Sequence, residues 1–77
     1  MTGNQLKAAR ALAGLEQADV ASSARVSINT VRNMEAAGKE MVRARLDTLT
    51  KVCTALEAAG VEFIPEKGAG VGVRLRK

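Results

Sequence analysis

The stretch QADVASSARVSINTVRNME, residues 17–35, decides the fold. In its first half Val20, Ala21 and Ala24 lie on one face of a helix, and their small size allows another helix to approach closely. The second half has the spacing of another short helix. The stretch therefore predicts two helices joined by a tight turn.

The second helix is predicted to start at Ser27, whose hydroxyl can accept a hydrogen bond from an unpaired amide of the next turn. Val31 and Met34 give this helix its buried side. Val26 follows the turn, where the contact between the two helices needs a branched apolar residue. The remaining side chains of the second helix then form its outer, solvent-facing side.

That outer face carries Asn29, Arg32 and Asn33, with Ile28 at its leading edge. In the major groove of DNA, asparagine can pair with adenine, arginine can pair with guanine, and an apolar tip can touch a thymine methyl. We therefore expect these four residues to read base edges. The alternative is an ordinary solvated helix surface, because exposed polar residues are common.

Over residues 3–60 the sequence resembles the Xre/Cro-like family of phage-repressor-type helix-turn-helix domains. The resemblance is carried by Gln17, Ala21, Val26, Ser27, Val31, Met34, Glu35 and Ala36. It implies a mainly α fold, a four-helix repressor-like helix-turn-helix domain that binds double-stranded DNA. We expect a short C-terminal β-hairpin or strand pair to follow this domain.

The chain departs from the family pattern at two positions. Arg25 stands where the family usually has glycine, and a left-handed backbone there would cost roughly 1 kcal/mol of strain. The charge of Arg25 could compensate by reaching a phosphate. Glu16 replaces the usual Ser or Thr N-cap, which weakens the cap, although an acid suits the positive end of the helix dipole. The resemblance implies that Gln17 binds a phosphate, the alternative being a neutral surface glutamine.

The composition limits the function classes. A chain of 77 residues has room for one domain with a small core, and a monomer of that size is marginally stable. The net charge of +4 favours a polyanionic partner. Only one residue is aromatic, so the stacking platform that would bind single-stranded nucleic acid is missing.

Residues that carry chemistry are scarce. There is no His, and Cys53 is the only cysteine, so we expect neither a zinc site nor an intramolecular disulfide. Asp and Glu form no paired acid and base, so we expect no enzyme and no cofactor. With neither a signal peptide nor an apolar run of membrane-spanning length, the sequence predicts a cytoplasmic, nucleoid-associated protein without a membrane partner.

The first helix is predicted over residues 1–14, beginning at a capping box of Thr2 and Gln5. Its core-facing positions are Leu6, Ala9, Leu12 and Ala13. In the resembled family a basic residue of this helix often pairs with the glutamate that ends the recognition helix, which implies a structural pair of Arg10 and Glu35. The alternative is two unpaired surface charges.

Gly38 should end the recognition helix, and a basic connector follows it. The connector supplies three candidates for contact with DNA phosphate, Lys39, Arg43 and Arg45. In helix-turn-helix complexes this loop commonly lies along the sugar-phosphate backbone, and the alternative is a solvated basic loop. We expect Met41 and Val42 to dip into the core.

The last helix is predicted over residues 46–59. Its apolar stripe consists of Leu46, Leu49, Val52, Cys53 and Leu56. Cys53 is then a small core residue without a redox or ligand role.

From residue 61 the pattern changes to alternation, which predicts short strands over 61–64 and 71–76 with residues 65–70 as their connection. A two-stranded hairpin is marginal in water unless its apolar face is covered. Val71, Val73 and Leu75 therefore need cover from the helices or from a second subunit, and we favour a symmetric dimer. The domain organisation is a helix-turn-helix domain, residues 1–60, and a strand element, residues 61–77.

Together these observations predict a sequence-specific DNA-binding transcriptional regulator, a repressor that acts as a homodimer at an inverted repeat. The rival hypothesis is a helix-turn-helix-shaped protein-interaction module, either an antiactivator or an antitoxin, that binds and inactivates a partner protein. The missing turn glycine, the weakened cap and the apolar C-terminal strands favour the rival. The basic connector and the polar outer face favour DNA, and a regulatory protein partner is compatible with both.

Overall fold

The computed structural model describes residues 1–66 and 70–76, with the backbone alone for residues 65, 66, 70 and 71. Within these residues the chain forms four helices followed by a two-stranded antiparallel sheet. The elements are α1 (Gly3–Leu12), α2 (Gln17–Ala24), α3 (Ile28–Glu35), α4 (Leu46–Ala58), β1 (Val61–Glu66) and β2 (Gly70–Leu75). The predicted mainly α fold with a C-terminal hairpin is confirmed.

Side chains fix where the first helices start. At α1 the Gln5 amide donates to the Thr2 hydroxyl over 3.1 Å, and the Thr2 amide donates to the Gln5 side chain over 2.8 Å, so the predicted capping box is closed. At α2 the Glu16 amide donates to a carboxylate oxygen of Asp19 over 2.8 Å. Asp19 therefore supports the N-terminus that the sequence analysis took to be weakly capped.

The core lies where the four helices meet and includes the first residue of β1. Its buried side chains are Leu6, Ala9, Val20, Ala21, Ala24, Val31, Met34, Val52, Leu56 and Val61. Phe63 and Val73 pack against this core and are partly buried. The helices of the same chain thus supply part of the cover that the hairpin needs, while Leu75 remains 38% exposed.

Three apolar residues that were predicted to face the core are exposed: Leu12 at 41%, Met41 at 62% and Leu46 at 79%. Leu12 and Leu46 are the last residue of α1 and the first of α4, and the next apolar residues that pack against the core are Ala13 and Leu49. Met41 forms a β-bridge with Thr2. Extended neighbours point to opposite sides, so Val42 packs inward in place of Met41.

The hairpin is longer than the sequence predicted. Its register runs from Val61 opposite Leu75 to Glu66 opposite Gly70, so β1 includes Pro65, which had been assigned to the connection. Both strands of a two-stranded sheet are edges, where a proline without an N–H is tolerated. The remaining connection, residues 67–69, and the predicted cover of the Val71 side chain lie outside what the structure describes.

Candidate nucleic-acid interface

Helix α3 presents a polar outer face to solvent. Asn29, Arg32 and Asn33 are all exposed, and Arg32 Nη1 donates to Asn29 Oδ1 over 3.4 Å. Ile28 is half-buried because it packs against the core. The three polar candidates for base reading are therefore exposed on one helix, whereas Ile28 offers only part of its side chain to a ligand.

The start of α3 is held by a pair of hydroxyl groups. The Thr30 amide donates to Ser27 Oγ over 3.1 Å, which is the predicted cap. The hydroxyls of Ser27 and Thr30 also lie 2.9 Å apart, within hydrogen-bond distance. The sequence analysis did not single out Thr30, although its position three residues after a Ser N-cap is the signal that could have identified it.

The turn between α2 and α3 is left-handed at Arg25, with φ 59° and ψ 44°. The Arg25 amide donates to the Ser22 carbonyl over 3.2 Å, and the Val26 amide donates to the Ala21 carbonyl over 3.0 Å. These bonds satisfy the carbonyls at the end of α2 in the usual manner of a left-handed cap. The turn geometry is therefore kept without glycine, at the cost of backbone strain at Arg25.

Arg10 and Glu35 form a two-pronged ion pair between α1 and the end of α3. Arg10 Nε donates to Glu35 Oε2 over 2.7 Å and Arg10 Nη2 donates to Glu35 Oε1 over 3.1 Å. The side chains are 16% and 6% exposed. Hydrogen bonding to Glu35 raises the pKa of Arg10 above its ordinary value. Burial by itself raises the pKa of Glu35, but the hydrogen bonds from Arg10 and Gln17 outweigh burial and leave it below the ordinary value.

Gln17 joins this ion pair from the start of α2. Its Nε2 donates to Glu35 Oε1 over 3.1 Å, and Arg10 Nη1 donates to the carbonyl oxygen of Leu15 over 3.0 Å. The resemblance implied that Gln17 binds a DNA phosphate, and the sequence analysis missed its hydrogen bond to Glu35. The amide nitrogen of Gln17 has a second N–H, so the phosphate contact stays a prediction. The polar network fixes the first three helices relative to one another.

The connector after α3 is tied to the start of the chain. The Asn4 amide donates to the Gly38 carbonyl over 2.8 Å, and the Val42 amide donates to the Met1 carbonyl over 2.8 Å. Gly38 has φ 59° and follows the end of α3 by three residues, so it reverses the chain after the helix and does not end it directly. The path of the connector is therefore set by backbone bonds to residues distant in sequence.

A concave surface of about 650 Å³ lies where α3 meets this connector. Its lining consists of Asn33, Ala36, Ala37, Glu40, Met41 and Arg43. The structure thus brings together a candidate base reader, Asn33, and a candidate phosphate contact, Arg43. It also places there the carboxylate of Glu40, which the sequence analysis did not weigh and which would repel a phosphate.

The other basic candidates lie in different surroundings. Lys39 is exposed. Arg45 Nε lies 3.5 Å from Asp47 Oδ1, with side chains 86% and 59% exposed, so this ion pair contributes little to stability. Arg25 lines a separate groove between α2 and α4, and none of Asn29, Arg32 and Asn33 is among the residues that line it. The predicted phosphate contacts are therefore spread over more than one surface.

Other kinds of site find little support within residues 1–66 and 70–76. No group of three or more His, Cys, Asp and Glu residues there could hold a metal ion. Burial raises the pKa of the partly buried Cys53 thiol, which disfavours the reactive thiolate. No helix in that part of the chain has the length and the apolar character needed to cross a membrane.

Comparison with known protein families agrees with this geometry. A family model described as a helix-turn-helix domain matches residues 3–63. The matched span includes all of α1 to α4 and the first residues of β1. No curated protein sequence matches the chain. The helix-turn-helix resemblance recognised in the sequence is confirmed.

Proposed function

Because the chain belongs to the helix-turn-helix domain family, we propose that it is a sequence-specific DNA-binding regulator of transcription. The observation that carries this proposal is the outer face of α3, where Asn29, Arg32 and Asn33 are exposed together. A helix of this type can enter the major groove and place such side chains against base edges. The partly buried ion pair of Arg10 and Glu35 holds the far end of α3 in place.

Specificity in this proposal comes from α3, and affinity comes from the connector. Arg32 and Asn33 donate to base edges, while Asn29 accepts from Arg32 and orients its guanidinium. Arg43 lies on the concave surface beside Asn33, where the sugar-phosphate backbone would pass. The exposed Lys39 adds further attraction for phosphate.

We further infer that the protein acts as a homodimer and represses by occlusion. Two copies of α3 would enter successive major grooves of an inverted repeat, roughly 34 Å apart. The small size of the chain and the exposed apolar side chains of Met41, Leu46 and Leu75 support association. Occlusion is compatible with control by the abundance of the protein or by a regulatory protein partner.

The test is a titration of the full chain against fluorescent DNA from its own upstream region, with random DNA as competitor, at about 50 and 200 mM salt. Saturable binding that survives the competitor at the higher salt supports the proposal. Replacing Arg32 or Asn33 with Ala should then cost about 1 to 3 kcal/mol on the cognate site and relax the sequence preference. Replacing the exposed Lys7 of α1 with Gln provides a control at a basic position outside the proposed interface.

Two results would contradict the proposal. Binding that disappears equally on both DNAs at the higher salt would leave only general charge attraction. Equal losses on cognate and random DNA after Asn33→Ala would count against base reading by α3. In the first case the rival hypothesis of a protein-interaction module would be preferred.

A further inference from the structure

A second concave surface, with a volume of about 690 Å³, lies between α2 and α4. We call it the α2/α4 groove. Its apolar lining includes Leu15, Ala24, Ala55 and Ala58, and the exposed Arg25 and Lys51 line it as well. Ala24 is buried, Leu15 and Ala55 are half-buried, and Ala58 is exposed, so the groove combines an apolar base with basic edges.

The charges around the α2/α4 groove have one sign. Among the described residues that line it none carries a carboxylate, and the polar side chains other than Arg25 and Lys51 are hydroxyls. Across residues 1–66 and 70–76, neither Arg25 nor Lys51 belongs to an ion pair. Two cations thus stand beside an apolar groove without a carboxylate to neutralise them, and acidic side chains would complement them.

The backbone at Arg25 gives independent support. Its φ of 59° is a conformation that glycine adopts without strain and arginine does not. Strained residues of this kind concentrate at functional sites. Glycine at position 25 would remove the strain, and it would also remove one of the two cations from the groove.

We propose that the α2/α4 groove binds an acidic amphipathic segment of a partner protein. Apolar side chains of that segment pack against Leu15, Ala24 and Ala55, and its carboxylates pair with Arg25 and Lys51. An amphipathic helix is the form of ligand that such grooves commonly take. Asn29, Arg32 and Asn33 lie outside the groove lining, so the proposal does not depend on DNA binding.

The experiment titrates the full chain with a designed helical peptide of about 14 residues, long enough for a marginal helix, that has Leu on one face and Glu on both flanks. One matched peptide has Gln in place of Glu, and another has Ser in place of Leu. Methyl NMR spectra follow the protein at about 150 mM salt, where distant charges are screened. We expect the acidic peptide to shift the methyl signals of Leu15, Ala55 and Ala58. Both matched peptides should bind with an affinity at least about ten-fold lower.

Variants separate this binding from folding. Arg25→Gly and Lys51→Gln should each lower the affinity for the acidic peptide about three-fold, which is the effect expected for the loss of an exposed charge pair. Arg25→Gly should fold at least as well as the original chain because glycine fits the left-handed backbone. Lys7→Gln removes an exposed cation that is not among the groove residues, and it should leave the peptide affinity unchanged.

Several results would overturn the proposal. One is the absence of binding by the acidic peptide, and another is an affinity that Arg25→Gly and Lys51→Gln do not change. Shifts centred on Ile28 in place of Ala55 and Ala58 would place the peptide on α3. Groove signals that move on dilution without peptide would show that a second copy of the chain covers the groove.

Discussion

At the scale of single residues, Glu35 organises the helix-turn-helix region because it accepts hydrogen bonds from two other helices. Arg10 and Gln17 both donate to its carboxylate, which is only 6% exposed. Each donor reduces the cost of burying the charge, and the pKa of Glu35 accordingly lies below its ordinary value. A group of this kind stabilises the folded chain only while it is ionised.

The pH dependence follows from that lowered pKa. Above the ordinary glutamate value of 4.5 the carboxylate is charged in both states, and the stabilisation is fully present. As the pH falls below 4.5 the unfolded chain binds a proton first, and the stabilisation is lost by the time the pH passes the lower folded pKa. We expect Glu35→Gln to reduce the free energy of unfolding by about 1 to 3 kcal/mol at neutral pH.

The measurement is urea unfolding of both chains from about pH 7 to about pH 3, a range that spans carboxylate titration. The difference between the chains should shrink below pH 4.5, because only the original chain can lose the charge at position 35. Other carboxylates titrate in both chains and cancel in this difference. A gap that stays constant across the range would show that the Glu35 charge does not contribute to stability.

Variants of Glu40 and Arg43 test how the charges of the concave surface affect DNA binding, because these two residues line it and carry opposite charges. Glu40→Gln removes a repulsion toward phosphate and should tighten binding on all DNA sequences. Arg43→Gln should weaken binding on all sequences and reduce the salt slope by about one unit. Affinity measured against salt concentration checks both. If the two variants change affinity in the same direction, the DNA backbone does not pass this surface.

At the scale of elements, the connector after α3 depends on a close approach between the start of α1 and the end of α3. A Cβ added at Gly3 would lie 2.6 Å from the Glu35 carbonyl oxygen and 2.6 Å from the Gly38 nitrogen. These neighbours are backbone atoms and cannot rotate away as a side chain can. The close contact therefore requires a residue without a side chain at position 3. Gly3 is the first residue of α1, so this requirement applies within a helix.

We expect Gly3→Ala to lower the free energy of unfolding by about 1 to 3 kcal/mol through overpacking, despite the better helix propensity of alanine. Asn4→Ala is the matched control, since Asn4 is exposed in the same helical turn and its replacement should change stability by less than about 0.5 kcal/mol. Urea unfolding of both variants gives the comparison. A Gly3→Ala chain as stable as the original would show that the start of α1 and the end of α3 can move apart without a loss of stability.

At the scale of the whole molecule, the hairpin and the helices share one core. Val61 is completely buried with the helical side chains, and the neighbouring Glu62 faces away and pairs with Arg74 over 2.8 Å. The start of β1 is therefore packed into the same interior as the helices. Stability of the helices should depend on the first strand.

Val61→Thr tests this dependence by placing a hydroxyl in the core at nearly constant volume, and we expect a loss of about 1 to 3 kcal/mol. Glu62→Thr is the control on the opposite face of β1 and should cost at most about 1 kcal/mol, the value of an exposed ion pair. Circular dichroism at a helical wavelength should show one cooperative transition shifted in Val61→Thr. A helical transition that Val61→Thr leaves in place would show that the hairpin folds separately.

Much of the fold and part of the candidate site could be predicted from local sequence. The capping residues Thr2 and Ser27 and the apolar spacing of α2 and α3 act within a few residues, so their effect can be seen in the sequence. Exposure at helix ends could not be predicted this way. Leu46 continues the apolar stripe of α4, yet it is 79% exposed. The spacing did not predict this exposure because it does not indicate where the neighbouring elements stop.

The sequence by itself determined the helices and the outer face of α3, because these follow from local propensity, capping and period, and its resemblance to helix-turn-helix domains indicated the family. Only the tertiary structure decided that Gln17 bonds to Glu35, that Glu40 lies beside Arg43, and that Arg25 faces a groove with Lys51. Each of these pairs joins residues from different elements or from an irregular loop. Their meeting depends on how helices and connector pack in three dimensions, and periodicity along the chain carries no information about that packing.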